Sequence, residues 1–204
     1  MNIVRNLAEW GKRCRLIHKQ KTVIINTTNK YLVLDEESNA VDYLLRSLEF
    51  LDQIENNRMY LKWFIISFHG ALYSFMVLAL YKVDSIQIFK DNKNNRPPIE
   101  RRLLSFMKIY TLLKNKTNMN GNQFISIKRH DICMKELNDK LRNLMVHFRP
   151  MVWASEPWYP ATACYPLLDI LNFCINCVEF NNSNKATLLT YTNNIQKLLG
   201  KYID

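Results

Sequence analysis

Trp63-Phe64-Ile65-Ile66-Ser67-Phe68-His69-Gly70-Ala71-Leu72-Tyr73-Ser74-Phe75-Met76-Val77-Leu78-Ala79-Leu80-Tyr81 contains no Asp, Glu, Lys or Arg, and how it is read decides the fold. Its length reaches the lower limit for crossing a bilayer. Ser67, His69, Gly70 and Ser74 are unfavourable in hydrocarbon. A helix at the centre of a bundle, by contrast, needs apolar side chains all round. We read the stretch as the buried central helix of an all-α bundle, running from about residue 58 to about 82, and expect no membrane association. His69 then has two readings: a core histidine with a local partner, or a residue lining a cleft.

Upstream, Asp35-Glu36-Glu37-Ser38 supplies capping groups and negative charge for a helix start. Val41, Leu44, Leu45, Leu48, Leu51 and Ile54 follow at helical spacing, so a helix is predicted over about 37–55, broken by Asn56-Asn57. Before it, Asn2 to Ile17 has the pattern of a basic amphipathic helix. Thr22-Val23-Ile24-Ile25 and Tyr31-Leu32-Val33-Leu34 flank Asn26-Thr27-Thr28-Asn29 like a short hairpin. Residues 1–35 are therefore expected to be an N-terminal appendage, irregular or hairpin-bearing, and residues 36–204 the helical domain.

Downstream, Ser85 to Pro98 reads as a polar linker whose Pro97-Pro98 forces extension and pre-sets a helix over about 98–115. A further helix is predicted from near Ser126, with Cys133, Leu137, Leu141, Leu144 and Phe148 on one stripe. It is expected to end at Pro150, with His147 in its last turn. Met151 to Pro160 reads as an aromatic loop, residues 161–180 as another helix, and a last helix runs to Leu199, where Gly200 stops it.

Composition narrows the possibilities. The chain has 204 residues, 48% hydrophobic and 23% charged, enough for a self-sufficient core. Four glycines and six prolines leave little material for a turn-rich all-β fold. A net charge of +10 favours an anionic partner. The five cysteines (Cys14, Cys133, Cys164, Cys174, Cys177) are odd in number and scattered, which argues for a reducing, cytoplasmic location. Cys174 and Cys177 form a lone CxxC in an apolar run and are read as packed thiols. No glycine-rich phosphate loop and no metal-spaced His, Asp and Glu set is present in the sequence, so no metal and no cofactor is expected.

Leu141-Arg142-Asn143-Leu144-Met145-Val146-His147-Phe148-Arg149-Pro150 combines a fixed cation, an acid/base candidate and a structural boundary. In an α-helix His147 lies about 140° round and roughly 7.5 Å along from Arg142. On that geometry the two are splayed and do not clamp one phosphate from a single chain.

This stretch resembles the signature of the HEPN superfamily, helical-bundle proteins with an Arg, four to six intervening residues and a His. Arg142, Asn143 and His147 match its four-residue form. The flanking Pro150 and Trp153-Ala154-Ser155-Glu156, with the earlier apolar helix and Phe68-His69-Gly70-Ala71-Leu72, are similar to a bacterial and plasmid-borne subgroup. Gly70 departs from it, since a polar side chain is expected there. The resemblance implies an up-and-down HEPN-type bundle and a metal-independent endoribonuclease. His147 would move the proton of a ribose 2′-OH. Arg142 would hold the phosphate as charge builds, and Asn143 would orient the His or touch the phosphate. Arg149, Trp153 and His69 are candidate substrate-binding residues. RNA as substrate, a homodimer with a composite basic cleft, a toxin or defence role and an inhibitor or antitoxin protein complete the expectation. The alternative is a HEPN-fold module that binds RNA, nucleotide or protein without catalysis.

Overall fold

The computed structural model describes residues 34–90, 101–147 and 152–203. The expected basic helix and hairpin of the appendage, residues 91–98 of the linker with Pro97-Pro98, and Phe148, Arg149 and Pro150 lie outside the described residues. Asp35–Asp204 form one compact unit. Its described residues form an all-α bundle of six helices.

The first helix, α1 (Glu36–Asp52), starts where its caps stand. Asp35 Oδ1 accepts from the Ser38 amide at 2.6 Å, and Ser38 Oγ accepts from the Asp35 amide at 3.0 Å. That reciprocal pair satisfies two donors that a helix start leaves orphaned. Glu37 has a second duty, as its two carboxylate oxygens take the Asn181 and Asn182 amides, each at 2.9 Å. The start of α1 is thereby tied to the turn that precedes the last helix.

The apolar stretch forms α2 (Tyr60–Val83). By length and composition it meets the test for a membrane-crossing helix, yet 67% of its most apolar window is covered by protein. Phe75 to Leu80 are buried without a break, and Phe64, Phe68 and Phe75 are fully enclosed. Full burial of each such side chain contributes about 1.5–3 kcal/mol. The covering comes chiefly from α1, with the chain's later helices closing the other sides. One stripe of α2, through Ile66, His69, Gly70, Tyr73 and Ser74, stays partly open.

The next helix is shorter than expected: α3 is Phe106–Leu113, not 98–115. Leu103 instead bridges Phe89 antiparallel, with Lys90 N–H to Arg102 O and Leu104 N–H to Ile88 O both at 2.8 Å. The backbone there is extended up to Ser105, whose φ of −65° and ψ of 158° precede the first helical residue.

The fourth helix, α4 (residues 128–146), is composite. Lys128–Lys135 is α-helical, Glu136–Arg142 is a π-helix and Asn143–Val146 returns to α. It stops four residues before Pro150. His147 is the C-cap, with extended φ of −97° and ψ of 119°, and not a last-turn residue. The fifth helix, α5 (residues 158–177), starts earlier than the 161 expected, so Trp158 and Tyr159 are helical and not loop residues. Pro160 is accommodated because it lies in the first turn, where its amide is not needed. Pro166 falls inside and converts Tyr165–Leu167 to 3-10 geometry. The last helix, α6 (Lys185–Gly200), is capped by Asn184, whose side chain accepts from the Ala186 and Thr187 amides.

Candidate functional site

Three stripes converge on a cleft of about 570 Å³. From α1 come Glu36, Asn39 and Tyr43. From α2 come Ile66, His69, Gly70, Tyr73, Ser74 and Val77. From α4 come Asn138, Arg142 and Val146, with Phe106 and Leu103 closing a side. Each set repeats at three or four residues, so each is one helix face. Of the polar and small residues that made α2 a poor membrane helix, His69, Gly70 and Ser74 line this opening, while Ser67 is buried with its hydroxyl on the Trp63 and Phe64 carbonyls.

Arg142 ends the π segment and is part-buried. Its Nη1 donates to Asn143 Oδ1 at 3.0 Å and approaches His147 Nε2 at 3.4 Å. No carboxylate among the described residues forms an ion pair with it. A guanidinium only donates, so a hydrogen bond in that contact takes His147 Nε2 as its acceptor. This corrects the expectation that a five-residue step splays the pair. The α-helix ends at Val146, and the extended backbone of His147 swings its ring back toward Arg142. The Asn143 side chain bonds the Arg and not the His ring: its Nδ2 donates to the Asp139 carbonyl at 3.3 Å while its Oδ1 holds Nη1, and its backbone carbonyl accepts the His147 amide at 3.0 Å.

His69 faces the same cleft. Its Nε2 lies 3.2 Å from Asn138 Oδ1, and Asn138 Nδ2 donates to Asp139 Oδ1 at 2.6 Å. Because a carboxylate only accepts, Asp139 fixes which way Asn138 points, and Asn138 fixes Nε2 of His69 as a donor. The imidazole stacks on Phe106, with centroids 4.2 Å apart and planes 20° apart. Burial pushes its pKa down to about 4, and the nearby Arg142 charge adds to this while the Asn138 bond opposes it. His69 is thus neutral at pH 7.

Gly70 has a physical explanation. A Cβ there would stand 2.6 Å from the Tyr43 ring, so the missing side chain is the notch that receives Tyr43. The polar group expected at this position is therefore replaced by a ring from α1. Trp153 is exposed and does not line the cleft, and Arg149 lies outside the described residues. Tyr159 instead donates to Glu136, which also pairs with Lys140 at 2.9 Å.

Sequence reasoning missed Asn138, Glu36, Asn39 and Tyr43. The available signal was periodicity: Asn138 stands one turn before Arg142, and Glu36, Asn39 and Tyr43 repeat at three and four residues along one side of α1, beside its apolar face. Among the described residues no three His, Cys, Asp or Glu side chains gather as a metal site. Cys174 is buried, with its thiol pKa pushed up by that burial, and Cys177 accepts from Asn122 Nδ2 at 3.4 Å. The fold and the cleft define an all-α bundle with an accessible Arg–His pair at the end of a π-kinked helix. Compared with known proteins, the chain matches no protein-family model, no curated protein and no solved structure.

Proposed function

We propose that the protein is a metal-independent endoribonuclease of HEPN type. The observation that supports this best is the 3.4 Å approach of Arg142 Nη1 to His147 Nε2, made by a guanidinium with no carboxylate partner among the described residues. An uncompensated cation holds the non-bridging oxygens of a phosphodiester, and a neutral imidazole nitrogen beside it takes a proton. When phosphate draws the guanidinium to itself, Nε2 is released to receive the 2′-OH proton. The 2′-oxygen then bonds to phosphorus and the bond from phosphorus to the 5′-oxygen breaks. The products are a 2′,3′-cyclic phosphate and a 5′-hydroxyl. DNA has no 2′-OH and is not cut by this route.

Attacking and leaving oxygens lie roughly in line through phosphorus, on opposite sides. One imidazole reaches one of them. The 5′-oxygen therefore takes its proton from water or from His147 of a second copy, and a homodimer is part of this reading. The resemblance of Arg142-Asn143 and His147 to the HEPN signature and the net charge of +10 support the same substrate.

The test is cleavage of a single-stranded RNA in EDTA by the wild type and by His147→Ala at matched purity. Wild-type activity that ends in cyclic phosphate and disappears in the variant is the expected result. Equal activity in both sinks the assignment. Silence in both, with RNA still bound, points to the non-catalytic module.

A further inference from the structure

We propose that Tyr43 is a stacking platform, on which the cleft takes the face of one unpaired base of an RNA strand. This rests on the ribonuclease reading for the ligand being RNA, and adds the residue that holds a base.

The seat of the ring comes first. A Cβ built on Gly70 stands 2.6 Å from Cδ1 of Tyr43, 2.7 Å from Cε1 and 2.9 Å from Cγ. Three neighbouring ring carbons at nearly one distance place Gly70 over the ring face, since an approach to the ring edge would leave Cγ and Cε1 well beyond Cδ1. The ring therefore lies flat on the backbone of α2, with its other face turned away from that helix.

Packing alone does not account for this arrangement. Glycine inside a helix is destabilising relative to alanine, and a ring seated only for stability would be buried by its seat. Tyr43 is 37% exposed. Among the described residues no second ring stacks on it and its hydroxyl has no hydrogen bond. A flat ring clamped on one face and open on the other is ordered before a ligand arrives, so binding does not have to freeze it. Every nucleobase has a face to stack there. A base held this way has left its own stack, so the site takes a single strand or a loop and not a duplex.

The neighbours fit the rest of a nucleotide. Tyr43 lines the same cleft as Arg142. His69 stands next to Gly70 in α2 and its Nε2 lies 3.2 Å from Asn138, one turn before Arg142. Arg142 is near enough for its charge to act on that imidazole. Ring and guanidinium thus share one level of the bundle, the first for a base and the second for a phosphate. Glu36, the acid on the lining, is seven residues from Tyr43 along α1, about 10.5 Å away, which sets its charge back from the phosphate.

The test is fluorescence anisotropy titration of the full chain, at pH 7 in EDTA, with a short labelled 2′-O-methyl RNA strand, which has no free 2′-OH to react. The same strand with abasic sugars throughout is the second probe. The wild type is expected to bind the intact strand at least about tenfold tighter than the abasic one, the ratio that about 1.4 kcal/mol of stacking gives. Tyr43→Ala removes that difference and leaves the abasic strand's affinity unchanged. Tyr43→Phe keeps the difference, and so does Tyr81→Ala, which removes a ring of similar exposure (39%) outside the cleft lining. Equal binding of the two strands by the wild type, an undiminished difference in Tyr43→Ala, or its loss in Tyr43→Phe overturns the proposal. The wild-type comparison and Tyr43→Phe need no destabilised variant. Binding of an uncleavable strand breaks no bond, so the two readings fail separately. Base-dependent binding through Tyr43 without RNA cleavage keeps the platform and removes the enzyme, and cleavage with base-independent binding does the reverse.

Discussion

Two imidazoles meet α4, one near its start and one at its middle, and they are held in opposite ways. His130 is buried and uses both nitrogens: Nδ1 accepts the Ile127 amide at 3.2 Å and Nε2 donates to Asp169 Oδ2 at 3.2 Å. Phe124 lies against the ring, 5.2 Å between centroids. His69 uses one nitrogen, on Asn138, and its other has no hydrogen-bond partner among the described residues. The first is a strut that joins the start of α4 to α5. The second has hydrogen-bonding capacity left over. The number of unspent ring nitrogens, more than burial, separates architecture from a site here.

The strongest way to break this contrast is to exchange the outcomes of two substitutions. Arg142→Ala is expected to lower RNA cleavage about 10²–10³-fold, the usual loss when one stabilising donor is removed, with the urea midpoint unchanged. His130→Ala is expected to lower stability by about 2–4 kcal/mol through a cavity and an orphaned Ile127 amide, with cleavage per folded molecule unchanged. A destabilised Arg142→Ala, or a folded but inactive His130→Ala, would erase the distinction.

A pH series sharpens it. The folded-state pKa of His69, about 4, lies below its ordinary 6.5. Between these values the unfolded chain binds more protons, so stability rises with pH. The contribution is fully present above pH 6.5 and is lost as pH falls toward 4, up to about 3 kcal/mol in all. His69→Phe should flatten that slope, as measured by urea unfolding at stepped pH. A slope of unchanged steepness in the variant would assign it to other groups.

Gly70→Ala gives the smallest effect. Crowding Tyr43 costs about 1–3 kcal/mol, and the helix preference of Ala over Gly returns about 1 kcal/mol, so a net loss of about 1 kcal/mol is expected. In a Tyr43→Ala background the same change should turn stabilising. If it stays destabilising there, Tyr43 is not what Gly70 makes room for.

Much of the fold was legible. The Asp35–Ser38 cap placed the start of α1 within a residue, and the uncharged run named α2 as the central helix. Other boundaries were not legible, for local reasons. Pro157 and Pro160 look like loop residues until Pro160 is seen in a first turn. Pro97-Pro98 suggested a helix start, but Arg102 and Leu104 satisfy the backbone by pairing with Lys90 and Ile88. The site was half legible. Arg142, Asn143 and His147 stand out by residue type. Their mutual geometry depends on a π segment and on a helix end at Val146, and a three-and-four spacing of apolar residues signals neither. Leu137 and Leu141 are buried as an α-helix would also bury them, while Leu144, beyond the π segment, is only half-buried.

That π segment can be regarded as a phase shifter. Each of its turns is closed by a bond five residues apart where an α-helix uses four. Residues on its two sides consequently keep different angular registers on one continuous rod. Before it, α4 points Cys133 and Met134 inward. At its end and beyond, the same rod aims Arg142 and Val146 at an opening. A strictly regular helix would carry the core-facing stripe of its first half straight on into its second. One slack turn lets a single helix serve the interior with one end and the solvent with the other.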